Sequence, residues 1–252
     1  MRNIIYSALL ACSCLPAFCL IGADPKSKTR EEYMHMDTLA LEAGTDKSSA
    51  FHNYTKVYSQ YFAPIKSDPI KFLEIGIYKG DSVKMWEAYL PNAELHFIDI
   101  TGALIEYQST RSYYHFLDQS DAKALELFGH RVGGNYDVII DDGGHTMTQQ
   151  LTSFHWLFPL VKSGGLYIIE DLHTSYWKTY GGKGNLNHPQ AGAGTAVEFL
   201  KNLVEHVNYV GAATACADSD KVPPALMQRL NYYQSQIESI HFYSSVCIIR
   251  KK

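Results

Sequence analysis

The chain has 252 residues, of which 46% are apolar and 19% charged, and its formal net charge is −4. That is enough apolar material for a real core in one large domain. The mild acidity supplies no basic face, so nucleic acid is not an expected partner.

The N-terminus stands apart. Arg2 is followed by an apolar run over residues 4–22, and Ala23 places a small residue just before Asp24. This pattern predicts a secretory signal peptide over residues 1–23, with the remainder exported, periplasmic or secreted. The alternative is an uncleaved membrane anchor through residues 4–22, since roughly 18 apolar residues can span a bilayer. Lys26, Lys28 and Arg30 outnumber Arg2, an imbalance that would hold the main body in the cytoplasm. Cys12, Cys14 and Cys19 lie in this leader. Cys216 and Cys247 remain, as one disulfide or two buried thiols, and no spacing suggests zinc.

Residues 24–252 read as a single domain: an N-terminal helical segment over 24–67 and an alternating core over 68–252. Leu39 to Ala43 predicts the end of a helix, closed by Gly44. Tyr54, Val57, Tyr58, Tyr61 and Phe62 recur at helical spacing, a stripe that suits packing better than ligand binding. "KFLEIGI" (71–77) is then a strand, followed by a helical "YKGDSVKMWEAYL". "ELHFIDI" (94–100) and "YYHFLDQ" (113–119) are the second and third strands, with a helix-like link between them. "YDVIIDD" (136–142) is the fourth, followed by the amphipathic "MTQQLTSFHWLFPLV", and "GGLYIIED" (164–171) is the fifth. Residues 175–194 form a long loop, 194–210 a helix, and 237–252 two adjoining strands with a turn near Tyr243 to Ser245. Strands alternating with helices argue for an α/β, doubly wound, mostly parallel sheet.

In such sheets ligands bind beyond the carboxyl ends of the strands. Strand one ends in Glu74, Gly76 and Gly80, glycines that let backbone approach a ligand closely. The spacing is not G-x-G-x-x-G, and no Walker lysine follows. Strand two ends in Asp99, 25 residues past Glu74, where an acid commonly takes ribose hydroxyls. Strand three ends in Asp118 and Gln119, a carboxylate and an amide able to bond an adenine edge; the competing reading of Asp118 is a helix N-cap. Strands four and five both end in acids and a histidine: Asp141, Asp142 and His145, then Glu170, Asp171 and His173.

"FLEIGIYKGDSVKMW", "FIDI", "LDQSD", "DVIIDDGGHT" and "YIIEDLHTSYW" together resemble the class I S-adenosylmethionine-dependent methyltransferases. More narrowly they resemble the metal-dependent macrolide-sugar O-methyltransferases, over roughly residues 40–250 and including "GTDKSS…HNYTKVY" (44–58). The resemblance implies a Rossmann-like seven-stranded sheet with an antiparallel C-terminal strand. It implies Glu74, Gly76, Gly80, Asp99, Asp118 and Gln119 around the methyl donor, Asp142, Glu170 and Asp171 as ligands of Mg²⁺ or a similar divalent cation, and His145 as general base. The residues argue similarly: neighbouring strands lie about 4.8 Å apart, and clustered carboxylates repel unless a cation neutralises them. Oxygen ligands suit Mg²⁺.

The expected activity is metal-assisted O-methylation of a hydroxylated small molecule, a sugar or other vicinal diol, by a chain that also suits a homo-oligomer. Two other readings stand beside it: a relative acting on another small molecule, and an exported binding protein that keeps the fold without catalysis. The leader motivates the last, because S-adenosylmethionine is made in the cytoplasm. Asp141 is expected to support the turn and His173 to be structural. His52 and Tyr54 suit the donor pocket or the core equally, and Tyr176 and Trp177 suit a sugar face or a pinned loop equally.

Overall fold

A computed structural model describes residues 25–184, 190–215 and 221–252. The expected leader over residues 1–23 and Cys216 lie outside the described residues. Seven strands form one sheet in the order β3-β2-β1-β4-β5-β7-β6. They are β1 (Lys71–Ile75), β2 (Glu94–Asp99), β3 (Tyr113–Phe116), β4 (Tyr136–Asp141), β5 (Val161–Ile169), β6 (Ile237–Phe242) and β7 (Cys247–Lys251). β1 to β5 pair in parallel, while β7 runs antiparallel to both β5 and β6. The order reverses between β1 and β4, which puts the crevice for a ligand at their carboxyl ends.

Each face of the sheet is covered by helices. On one side α1 (Pro25–Ala43), α2 (Thr55–Phe62) and α3 (Asp81–Tyr89) pack on Phe72, Phe97, Val138 and Ile168. Tyr58, Phe62 and Trp86 are fully buried there, and burying each such side chain stabilises the fold by roughly 1.5–3 kcal/mol. The other face packs on α4 (Ala122–Val132), α5 (Met147–Leu157) and α6 (Ala196–Thr214), through Leu125, Phe154, Leu157 and Leu200. The apolar runs of β1, β4 and β5 follow from this double cover, because a central parallel strand is buried on both faces.

Local chemistry sets the helix starts. Asp121, not Asp118, is the N-cap of α4, its carboxylate accepting the amides of Lys123 and Ala124. Thr146 and Gln149 form a capping box at the start of α5, which fixes where the chain leaves His145. The helix-like link expected between β2 and β3 is irregular instead. Its residues are tied to α3 by side chains: Tyr107 and Ser112 donate to the Glu87 carboxylate at 2.7 and 2.5 Å.

One polar pair within the sheet is pH-sensitive. His96 and His115 stack at 5.3 Å, with Nδ1 of the first 3.0 Å from Nε2 of the second. Burial, then the neighbouring His96, Arg131 and Lys71, lower the His115 pKa to about 4. An imidazole held neutral in the fold and ordinary in the unfolded chain contributes fully above about pH 6.5, and the contribution is lost as pH falls toward 4. Urea unfolding is expected to show a loss of about 1 kcal/mol between pH 7 and 4.5, the shift being reduced by solvent screening at this half-buried ring, and a smaller loss in His115→Gln.

Candidate active site

A cavity of about 710 Å³ opens at the carboxyl ends of the central strands. Gly76, Asp99, Asp118 and Gln119 line it, as do Asp142, Gly143, Gly144 and His145. Gly44, Thr45 and Asp46, from the loop after α1, complete a wall. Gly76 has φ +102°, and a Cβ there would stand 2.0 Å from the Asp142 carbonyl oxygen. Strain and overlap together are expected to make Gly76→Ala about 3 kcal/mol less stable, measurable by denaturant unfolding.

The residues expected around the donor divide. Asp99 faces the cavity; its Oδ2 accepts the amides of Ile77 and Tyr78 at 2.8 and 3.0 Å, which shapes the glycine turn. Asp118 also lines the cavity, with Oδ1 accepting the Ser120 amide at 2.7 Å. Gln119 lines it too, but its carboxamide is committed to protein. Nε2 donates to Asp141 Oδ1 and Ser153 Oγ at 2.9 Å each, and Oε1 accepts the Gly144 amide at 2.8 Å. It clamps the turn after β4 rather than presenting a free edge. Glu74 and Gly80 lie outside the lining. Glu74 is fully buried and accepts from Ser82 Oγ at 2.7 Å and Trp86 Nε1 at 3.0 Å; Gly80 is the N-cap of α3.

At the ends of β4 and β5 the acids form two overlapping groups. Ligand atoms of Asp142, His145 and Asp171 lie within 4.8 Å of one another, and so do those of Glu74, Asp142 and Glu170. Asp142 belongs to both. His145 Nε2 is 3.4 Å from Asp171 Oδ2 and 3.9 Å from Asp142 Oδ1. Its Nδ1 is buried without a hydrogen-bond partner among the described residues. His145 and Asp171 are both left-handed, at φ 56° and 55°. Thr174 Oγ1 joins them, lying 3.0 Å from the His145 carbonyl and 2.8 Å from that of Asp171. This left-handed backbone costs free energy at a non-glycine residue, and His145 bears that cost where it lines the cavity.

The second group encloses a residue that sequence reading missed. Lys47 is fully buried, and its ammonium pairs with Asp142, with Glu170 at 3.0 Å and with Glu74 at 3.5 Å. A lysine in the polar run "GTDKSS" carries no local sign of burial. Tyr58 donates to Glu170 at 2.5 Å and Tyr54 to Asp171 at 2.7 Å, so the aromatic stripe of α2 both packs and bonds the acids.

Burial pushes the pKa values of Asp142 and Glu170 up against the pull of Lys47, and that of Glu74 to about 7. Asp171 goes the other way. Burial would raise it, but the Tyr54 hydroxyl and the His145, His52 and His173 rings hold it below the usual range.

The supporting residues are also placed. Asp141 is fully buried, and its Oδ1 accepts from Gln119, as a turn support would. His173 Nδ1 meets Ser245 Oγ at 2.5 Å, which ties it to the turn between β6 and β7. His52 stacks on Tyr54 at 4.8 Å, and Trp177 lies against His173 at 4.5 Å.

A Rossmann-like sheet with a glycine turn, an acid ending β2 and acids at the ends of β4 and β5 is the arrangement expected from the resemblance to class I methyltransferases. Residues 73–172 match the methyltransferase domain family. It is similar to the mycinamicin VI 2''-O-methyltransferase of Micromonospora griseorubida, 31% identical over 82% of this chain and 50% of that protein. It is also similar to the L-olivosyl-oleandolide 3-O-methyltransferase of Streptomyces antibioticus, 33% identical over 84% of this chain and 55% of the relative. The chain thus spans about half the length of the curated relatives it matches. Among solved structures it resembles the MycE methyltransferase in complex with Mg, SAH and mycinamycin VI, with a TM-score of 0.71 and 29% identity over 86% of this chain and 53% of that one.

Proposed function

We propose that the chain is an S-adenosylmethionine-dependent O-methyltransferase assisted by a divalent cation such as Mg²⁺. Its acceptor is a hydroxylated small molecule with vicinal hydroxyls, a sugar before other classes. The observation that carries this reading is the convergence of His145 Nε2 with the Asp142 and Asp171 carboxylates, where His145 and Asp142 line a donor-sized cavity. The sugar class draws support from the similar proteins, whose names place them on glycosylated substrates.

The donor set fits both groups. Carboxylate oxygens of Asp142, within 4.8 Å of those of Asp171 in one group and of Glu170 in the other, would hold a hard cation. Gly76 brings backbone up to the cavity without a side chain, and Asp99 and Asp118 offer carboxylates along it. When bound, the donor supplies an electrophilic methyl group and the cation supplies Lewis acidity toward a hydroxyl. His145 accepts the hydroxyl proton at Nε2, and the nearby Asp171 carboxylate stabilises the imidazolium so formed. Asp171 can do so because its hydrogen bond and the surrounding rings keep it ionised. The remaining work of the residues lining the cavity would be positioning the acceptor hydroxyl against the donor.

The test is transfer of a labelled methyl group to a panel of free and glycosidic sugars, with Mg²⁺ or with EDTA. Transfer that needs both metal and a vicinal diol is expected; labelling of none of the panel would sink the acceptor class.

Export or membrane attachment through residues 4–22 is part of the same proposal and rests on the leader sequence. Among the described residues no helix is long and apolar enough to cross a membrane. N-terminal sequencing of the mature protein separates a cleaved signal from an anchor, and sedimentation tests the homo-oligomer.

A further inference from the structure

Lys47 has no role in the reaction as derived, yet its ammonium sits among three carboxylates. Glu74 already accepts from Ser82 at Oε2 and from Trp86 at Oε1, the oxygen nearest the lysine, so both of its oxygens are taken up by protein donors. Asp142 and Glu170 are different, because both are also candidates to hold the cation. The lysine stem comes from a braced loop. Asp37 accepts from the Ser49 amide at 2.7 Å and from Thr55 Oγ1 at 2.8 Å, and the Thr55 amide donates to the Lys47 carbonyl at 3.1 Å. Its backbone is therefore poorly placed to withdraw when another positive charge arrives.

We propose that Lys47 is a built-in counter-ion of the metal site: its ammonium and the divalent cation are alternative partners for Asp142 and Glu170. The lysine keeps the buried carboxylates assembled without metal and weakens metal binding in return. Buried like charges without a counter-charge destabilise a fold strongly, and a ligand that relieves them raises apparent stability by linkage. The proposal rests on the metal reading above.

Thermal unfolding and metal calorimetry on wild type, Lys47→Met and the double variant Lys47→Met/Glu74→Gln test it. The wild-type midpoint is expected to differ little between EDTA and millimolar Mg²⁺. Lys47→Met should lose stability in EDTA, recover it with Mg²⁺ or Mn²⁺, and bind metal about tenfold more tightly. The double variant removes one carboxylate along with the lysine. It should regain stability in EDTA and bind metal at least as tightly as wild type. It also carries the test if the single variant does not fold.

Unchanged midpoints and affinity in Lys47→Met, or weaker metal binding in either variant, would overturn the proposal. So would a double variant that stays as unstable as the single one, since the loss would then lie in the lysine stem. Metal binding that ignores Lys47 defeats this proposal alone, whereas no metal binding to any of the three defeats the metal reading with it.

Discussion

His145→Ala is expected to lower kcat by about 10²–10⁴-fold, the usual worth of a positioned general base, while donor and metal affinities stay within about threefold. Nε2 faces the Asp142 and Asp171 carboxylates and the cavity, whereas Nδ1 is buried without a partner among the described residues. The ring is held there by a left-handed backbone, by Thr174 on its carbonyl and by the capping box that starts α5. A proton acceptor so fixed contributes to the transition state and little to binding. Separate kinetic and calorimetric measurements on the variant distinguish the roles. A metal affinity that drops tenfold or more would make His145 a ligand, and near-full turnover would remove it from the chemistry.

Asp142→Asn is expected to have the next largest effect and a different signature. Asp142 alone belongs to both groups of potential ligand atoms, and it also pairs with Lys47. The amide keeps the shape and loses the charge, so a structural role would be largely preserved. Metal affinity should fall by about 10²-fold or more, and kcat with it, because charge stabilisation by a bound cation is worth several kcal/mol. Donor affinity measured without metal should change little. Gly76 packs against the Asp142 backbone, which the substitution leaves alone. Metal calorimetry on the variant decides it: unaltered metal binding would remove Asp142 from the ligands.

Much of this arrangement was legible in the sequence because it follows from local pattern. Apolar runs ending in acids marked β1, β2, β4 and β5, and the turn near Tyr243 to Ser245 marked the β6–β7 pair. What escaped is what depends on distant partners. Lys47 meets Asp142 and Glu170 across 95 and 123 residues, and nothing near it in sequence requires a buried charge. The sequence offers Gln119 as an amide able to bond an adenine edge, but Asp141, Ser153 and the Gly144 amide take up its capacity. The link between β2 and β3 has turns where a helix was expected, because Glu87 gathers its hydroxyls. The aromatic stripe of α2 was read as packing; its rings do pack, and its hydroxyls also reach Glu170 and Asp171.

The central claim is that one cavity takes a methyl donor beside a carboxylate-held cation. Calorimetric titration of the metal-free protein with S-adenosylmethionine, repeated with Mg²⁺ and then titrated with Mg²⁺ itself, tests it most directly. One donor site and one metal site per chain are expected, with donor binding intact in Asp142→Asn and metal affinity lower by about 10²-fold or more. A protein that binds no donor under either condition would contradict it.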